Sequence, residues 1–300
     1  MDATGDGDVA AWAGAPFEVG RNSDGKTQPI TSYMRLINVD TPRLVQYMRE
    51  NASDFSDLIL PEGHTQQDLV MGFVATGFYR VIQQAKAEGQ WRVPKDSVTV
   101  KGGRVPGEIN LNATRFQGDG LDERVLSAAE IELRQQAHNV LDFSRRYVPG
   151  CEDAALLDIA PRMGVRETRR IMDDYVLTAD DVKAQRRFPD AIALSVCSID
   201  IHEPGGEGVV MLGVGDGYGI PYRCLLPQKV EGLLTAGRCI SVDHVAFAST
   251  RNVPACALTG EAAGVAAALA IQKGCAPRKL DVQTIQDALT KHGVLLGVQD

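Results

Sequence analysis

The chain has 300 residues, 44% hydrophobic and 23% charged, the balance of a water-soluble globular protein with enough length for one large domain or two ordinary ones. A formal net charge of -8 and a pI near 5.2 argue against a broad nucleic-acid or anionic-membrane surface, although Arg162 to Arg170 forms a local basic patch. The longest run free of charged or strongly polar residues, Ala262 to Ile271, falls short of the roughly 18 to 20 residues that span a bilayer. The acidic start MDATGDGD also lacks the basic and apolar regions of a secretory signal, so a cytoplasmic protein with no membrane or nucleic-acid partner is expected.

In chain order, Val9 to Ala15 is small and apolar, Gly20 to Pro29 is polar and turn-rich, and Ile30 to Val39 alternates like a strand. Asp40-Thr41-Pro42 reads as a helix start, with Thr41 as N-cap and Pro42 in the first turn, running to about Asn51. A second helix is expected over Thr65 to Gly89, softened at Gly72 and Gly77. Val98 to Val100 and Ile109 to Phe116 read as strands separated by Gly102-Gly103 and Pro106-Gly107. Asp122 to Tyr147 is the clearest helix, its Val125, Ala129, Leu133, Ala137, Val140, Leu141 and Phe143 falling near one face. Ala191 to Ile201 predicts a buried strand, Gly208 to Val214 a returning one, and Gly232 to Ala236 a short apolar strand ending at Gly237. An alanine- and glycine-rich helix follows Pro254, and Val282 to Gly293 is a last amphipathic helix.

The six cysteines are scattered, without a C-x-x-C pair or the clustered spacing of an iron–sulfur site, and read as buried or half-buried thiols. Asp6 and Asp8 supply too few oxygens for a calcium loop, so a turn-stabilising role is expected and no metal site is assigned. Gly213, Gly215, Gly217 and Gly219 fail the G-x-G-x-x-G dinucleotide spacing and precede Ile220-Pro221-Tyr222-Arg223 rather than a helix.

The stretch TAGRCISVDHVAFASTRNVPACALTGEAAG, residues 235–264, together with ATGDGD, residues 3–8, carries the strongest chemical signal. A strand ending at Gly237 and followed by Arg238 suits contact with phosphate or ribityl oxygens, because the planar guanidinium pairs bidentately with phosphate. Arg251-Asn252-Val253-Pro254-Ala255 then leads into a helix whose unpaired N–H groups and positive dipole end suit the electron-rich edge of a flavin.

With DATGDGDVAAWAGAPFEVG, INLNATRFQGDGLD, GVRETRRI, IDIHEP and IPYRCLLP, these segments make the chain resemble FAD-dependent oxidoreductases related to heterodisulfide reductase flavoprotein subunits, matching the C-terminal half or more. The resemblance implies an α/β fold: a partial FAD-binding domain of glutathione-reductase type with a large inserted α+β substrate domain. Residues 1–20 would carry the ATG segment, 21–226 the substrate domain, 227–275 the AGR strand and its helix, and 276–300 the C-terminal helix. The cofactor implied is FAD, with Ala3, Thr4, Gly5, Gly237, Arg238, Arg251, Asn252, Val253, Pro254 and Ala255 at the matching positions. Some relatives hold 4Fe-4S clusters; the cysteine spacing here does not support one. The family's first dinucleotide-binding segment has no counterpart in the chain. A fragment, or a split enzyme with a separate N-terminal FAD-binding polypeptide, is therefore implied.

Hydride transfer to flavin needs a substrate C–H over the ring and a base beside the alcohol or amine, for which His244, His202, Tyr222 and Arg223 are the candidates. His244 reads equally as a base and as a loop-fixing histidine, and His202 rather as a structural turn histidine. Arg166 is a candidate for binding substrate or a second domain, since Arg166 and Arg169 or Arg170 lie three or four apart and share one face of a helix; the alternative is a solvated helix start with Glu167 as internal partner. Two functions stand: an FAD-dependent oxidoreductase acting on a small organic molecule, with oligomer formation open, and a non-catalytic remnant with an exposed sheet edge. A hydrolase is discounted for want of a G-x-S-x-G nucleophile.

Overall fold

A computed structural model describes residues 1–62 and 65–297 of the chain. Its first half runs α1 (Asp8–Trp12), β1 (Phe17–Val19), β2 (Met34–Ile37), α2 (Thr41–Glu50), β3 (Phe55–Ile59), β4 (Val74–Gly77), α3 (Tyr79–Ala87), β5 (Val98–Gly102), β6 (Ile109–Asn112) and α4 (Glu123–Tyr147). The second continues β7 (Ala155–Ile159), β8 (Arg169–Ile171), α5 (Ala179–Lys183), β9 (Ala191–Ser195), β10 (Ile199–His202), β11 (Val209–Leu212), β12 (Tyr218–Pro221), α6 (His244–Thr250), α7 (Val253–Lys273) and α8 (Val282–Lys291). These elements form two units of a mixed α/β chain: residues 1–28, 167–202 and 209–300 in the first, residues 29–166 and 203–208 in the second.

The second unit is built on a six-stranded antiparallel sheet in the order β3-β4-β5-β6-β2-β7. Period-2 alternation sends Met34, Leu36, Val98, Val100, Ile109 and Leu111 to one face, where Leu44 and Met48 of α2, Ile82 of α3 and Val140 and Phe143 of α4 complete the core. The other face is polar. In register across it, Asp158, Arg35, Asn110 and Lys101 stand side by side, and Arg35 bonds both Asp158 and Glu108.

Residues 65–89 depart from the expected single helix. The chain turns after Thr65, forms β4, and only then enters α3. Gly77 explains the strand: a side chain there would lie 2.3 Å from the Asp54 carbonyl, so the position serves close pairing of β4 with β3. Phe78 then takes a left-handed conformation (φ 68°) that starts α3 in a new direction. Asp40, not Thr41, caps α2, accepting from the Arg43 N–H, while Thr41 is the first helical residue.

The first unit contains three antiparallel strand pairs, β1–β8, β10–β11 and β9–β12, with α6, α7 and α8. The strand expected over residues 191–201 is broken: β9 ends at Ser195 and β10 begins at Ile199. Asp2 pairs in parallel with Thr235 through Asp2 N–H to Leu234 O and Ala236 N–H to Asp2 O, joining the ATG segment to the AGR segment. The main core combines Ile192, Ala193, Tyr218 and Ile220 with Phe247 of α6, Ala262, Ala263 and Ala266 of α7, and Ile285 and Leu289 of α8.

Helix α7 is long and apolar enough, by length and composition, to cross a bilayer. The expectation of no such segment counted uninterrupted apolar runs, and Thr259 and Glu261 interrupt this one. Its apolarity is largely that of eight alanines, which let it pack closely on β9, α8 and the 3₁₀ turn Gly237–Cys239.

Candidate functional site

The ATG loop is held from beneath. The buried Asp2 carboxylate accepts from the Thr4 N–H (3.0 Å), the Thr4 hydroxyl (2.8 Å) and the Ala10 N–H (2.8 Å). Burial raises the carboxyl's pKa, but these donors outweigh it and hold it below the usual aspartate value. Ala3 and Thr4 are exposed above this anchor, and Gly5 turns at φ 84° with the Arg238 guanidinium 3.1 Å from where a Cβ would sit.

Arg238 is turned inward. Its Nη2 bonds Asp6 Oδ1 at 2.6 Å and its Nη1 bonds the Thr168 hydroxyl at 3.1 Å, while that hydroxyl also donates to Asp6. The Gly237 N–H is likewise engaged, donating to the Thr259 hydroxyl at 3.0 Å. Gly237 itself, at φ 78°, meets only Cys256 Cβ, 4.0 Å from where a Cβ would lie, so its backbone is bare on one side.

The start of α7 has no side-chain cap. The Asn252 amide instead donates back to the carbonyls of Ala248 and Ser249, and Pro254 occupies the first turn. Val253 and Pro254 are exposed, with Ala255 buried behind them. The helix thus begins without a side-chain cap, its first turn of partial positive charge lying at the exposed Val253 and Pro254. Arg251, just before it, is held by its Nη2 on the Asp200 carbonyl (2.8 Å) and carboxylate (3.1 Å).

His244, the first residue of α6, is oriented by a buried network. Asp243 caps α6 by accepting from the Val245 and Ala246 N–H groups, which fixes the start of the helix. His244 Nδ1 lies 2.9 Å from Glu167 Oε1, and the same carboxylate receives Arg170 Nη1 at 2.5 Å and the Gln28 N–H at 2.8 Å. Glu167 and Arg170 are fully buried, and Arg170 is further tied to the Val242 and Gly20 carbonyls. The carboxylate therefore favours a proton on Nδ1, leaving Nε2 as the basic nitrogen. Gln28 extends the network, its Oε1 accepting from the His202 N–H at 3.2 Å.

The other candidates are engaged elsewhere. His202 ends β10 and is buried, with Nε2 3.4 Å from Asp200 Oδ1. Tyr222 is buried and donates to the Pro277 carbonyl at 3.1 Å; burial raises its pKa. Arg223 forks onto Asp190 and lies over the Tyr175 ring at 4.7 Å. Arg166 belongs to the second unit, where its buried Nη1 donates to the Pro29 carbonyl at 2.6 Å.

The expected helical face of Arg166, Arg169 and Arg170 does not form. Residues 169–171 are strand β8, and alternation sends Arg169 to Asp8 and Arg170 into the core. Sequence reasoning missed Gln28, which sits in a turn-rich segment without a motif. Glu167 had a signal, its place among four arginines, but not its histidine partner 77 residues away. Among the described residues no group of three or more His, Cys, Asp or Glu side chains is arranged to hold a metal ion.

The chain thus joins an ATG turn to an AGR turn through Asp2 and Thr235, with a helix start that lacks a side-chain cap following in sequence. The family model for FAD dependent oxidoreductases matches residues 1–289, and the chain belongs to that family. Its class is thereby that of flavin-dependent oxidoreductases, with FAD as the cofactor the family implies. No curated protein matches the chain.

Proposed function

We propose that this chain is the flavin-ring-facing part of an FAD-dependent oxidoreductase of glutathione-reductase type, related to heterodisulfide reductase flavoproteins, that oxidises a small organic alcohol or amine. The observation that carries the reading is the His244–Glu167–Arg170 relay. A buried carboxylate that fixes the tautomer of a partly exposed histidine resembles the orienting partner of a general base.

FAD, when bound, supplies a two-electron acceptor. The open start of α7 and the bare backbone at Gly237 fit the ring end of such a cofactor, because the helix end favours negative charge and no side chain obstructs approach. His244 Nε2 takes the proton from the substrate O–H or N–H, and Glu167 stabilises the resulting imidazolium. Arg170 pairs with Glu167 inside the core and so holds the histidine's partner in place. His202, with Arg251 and Asp200, shapes the neighbouring polar wall rather than moving a proton.

The diphosphate end fits less well. Arg238 and the Gly237 N–H are committed to Asp6, Thr168 and Thr259, and no G-x-G-x-x-G turn occurs in the sequence. This favours a second polypeptide or segment that supplies the dinucleotide turn. Its seat would be the small-residue side of α7, where Gly260 and Gly264 have nothing within 4 Å of a built Cβ.

The test is the pH dependence of flavin reduction in single-turnover mixing with a panel of primary and secondary alcohols and amines, using the chain loaded with FAD. With His244→Gln the reduction rate should fall by about 10² to 10⁴ and its dependence on pH should flatten. A variant that reduces flavin at the native rate with the native profile removes His244 from the reaction.

A further inference from the structure

We propose that the second unit carries a binding site for a phosphate-bearing small molecule in the groove between α4 and the segment after α3. The groove encloses about 550 Å³, within the range of pockets that hold a small organic ligand. Its floor is the outward face of α4, where His138, Asp142, Arg145 and Arg146 recur at helical spacing opposite the core-facing Leu133, Ala137 and Val140.

The opposite wall is built, not incidental. Asn139 pins residues 90–92 against the helix, its amide donating to the Gln90 carbonyl at 2.7 Å and its carbonyl accepting from the Arg92 N–H at 2.9 Å. That clamp fixes the Arg92 backbone at the edge of the groove that Arg92 and Arg146 both line. Three guanidiniums, Arg92, Arg145 and Arg146, line the groove with one carboxylate, Asp142; of the three, Arg146 also interacts with the Glu88 carboxylate and the Tyr147 hydroxyl beside the groove. Arg145 is steadied by Nε on the Ala154 carbonyl at 2.6 Å, which leaves its terminal nitrogens for a ligand.

In a chain of net charge -8 this is a local excess of positive charge with planar, forked donors. A monocarboxylate would leave part of that charge unmatched, whereas a phosphomonoester or diphosphate meets it. His138 adds a further donor when protonated. Asp142 accepts from hydroxyls of the organic part, giving the groove one acceptor among its donors.

The experiment is calorimetric titration of the full chain with inorganic pyrophosphate and with glycerol phosphate at low ionic strength. Both should saturate at one site per chain with sub-millimolar Kd. The double variant Arg92→Ala, Arg146→Ala should weaken binding at least tenfold. Arg134→Ala should leave it unchanged, since that arginine pairs with Glu130 on the exposed side of the same helix. Arg238→Ala in the first unit should also leave it unchanged, which separates this site from any flavin phosphate contact. Absence of saturable binding, loss of binding in Arg238→Ala, or full retention in the double variant overturns the assignment. Succinate binding as tightly as pyrophosphate would overturn the phosphate preference.

Discussion

Glu167 gathers three partners in the first unit, one buried carboxylate serving His244, Arg170 and Gln28 together. Removing its charge breaks a fully buried ion pair and leaves the Arg170 guanidinium only the half-exposed Glu18 carboxylate at 3.5 Å, a loss that typically costs about 3 to 5 kcal/mol. Glu167→Gln is therefore expected to lower unfolding stability by that order in urea titration, and a loss under about 1 kcal/mol would mean that the pair is more hydrated than its burial implies. Asp173 behaves oppositely. Burial pushes its carboxyl up to about 8, only partly offset by the Thr235 hydroxyl at 2.9 Å, and its Oδ1 has no partner among the described residues. The folded state then holds a proton that the unfolded state, with the ordinary value of 3.8, has released. Stability contributed by this group is full below about pH 4 and falls as pH rises toward 8, by up to about 1.4 kcal/mol per pH unit. Asp173→Asn should flatten that fall in melts between pH 5 and 8; an unchanged slope would show that Asp173 is ionised in the fold.

Among the elements, α4 is the one whose sequence and structure agree most closely. Asp122 accepts from the Arg124 and Val125 N–H groups, and the helix runs to Tyr147 with its apolar stripe on the sheet. Asp122→Ala should cost about 1 kcal/mol, within the 0.5 to 2 kcal/mol typical of a lost N-cap, read as a shift in denaturant midpoint with unchanged m. A shift in m as well would show that capping at Asp122 affects more than the first turn. Helix α4 was legible because 25 residues of 3.6-residue periodicity overwhelm local noise. Residues 65–89 were not, because β4 is four residues long and its strand character lies in the tight contact of Gly77 with Asp54, a long-range fact with no local signature. The same holds for β8: GVRETRRI reads as a charged helix start, and only its pairing with β1 reveals why Arg170 is buried.

At the scale of the whole molecule, the ATG and AGR segments stood out together in the sequence, and a parallel bridge between Asp2 and Thr235 joins them in the fold. What the motifs did not disclose is that Arg238 spends its donors on Asp6 and Thr168, or that the histidine relay closes through Glu167. Motifs specify residue types along the chain, whereas hydrogen-bond partners are chosen by distant segments. Arg238→Ala should accordingly lower thermal stability even without flavin, since it strips Asp6 of its charged donor. A melting temperature equal to the native one would return Arg238 to a role in binding alone.

The central claim is that this chain presents the ring end of a flavin site. The measurement that tests it most directly is the visible spectrum of the purified chain with added FAD, alone and after mixing with a polypeptide that carries the dinucleotide turn, followed by addition of a reductant. A protein-bound flavin band that bleaches on reduction in either sample, with the stronger binding in the mixture, is the predicted result. Free-flavin spectra in both, with FAD passing through a desalting column unretained by the protein, would contradict the account.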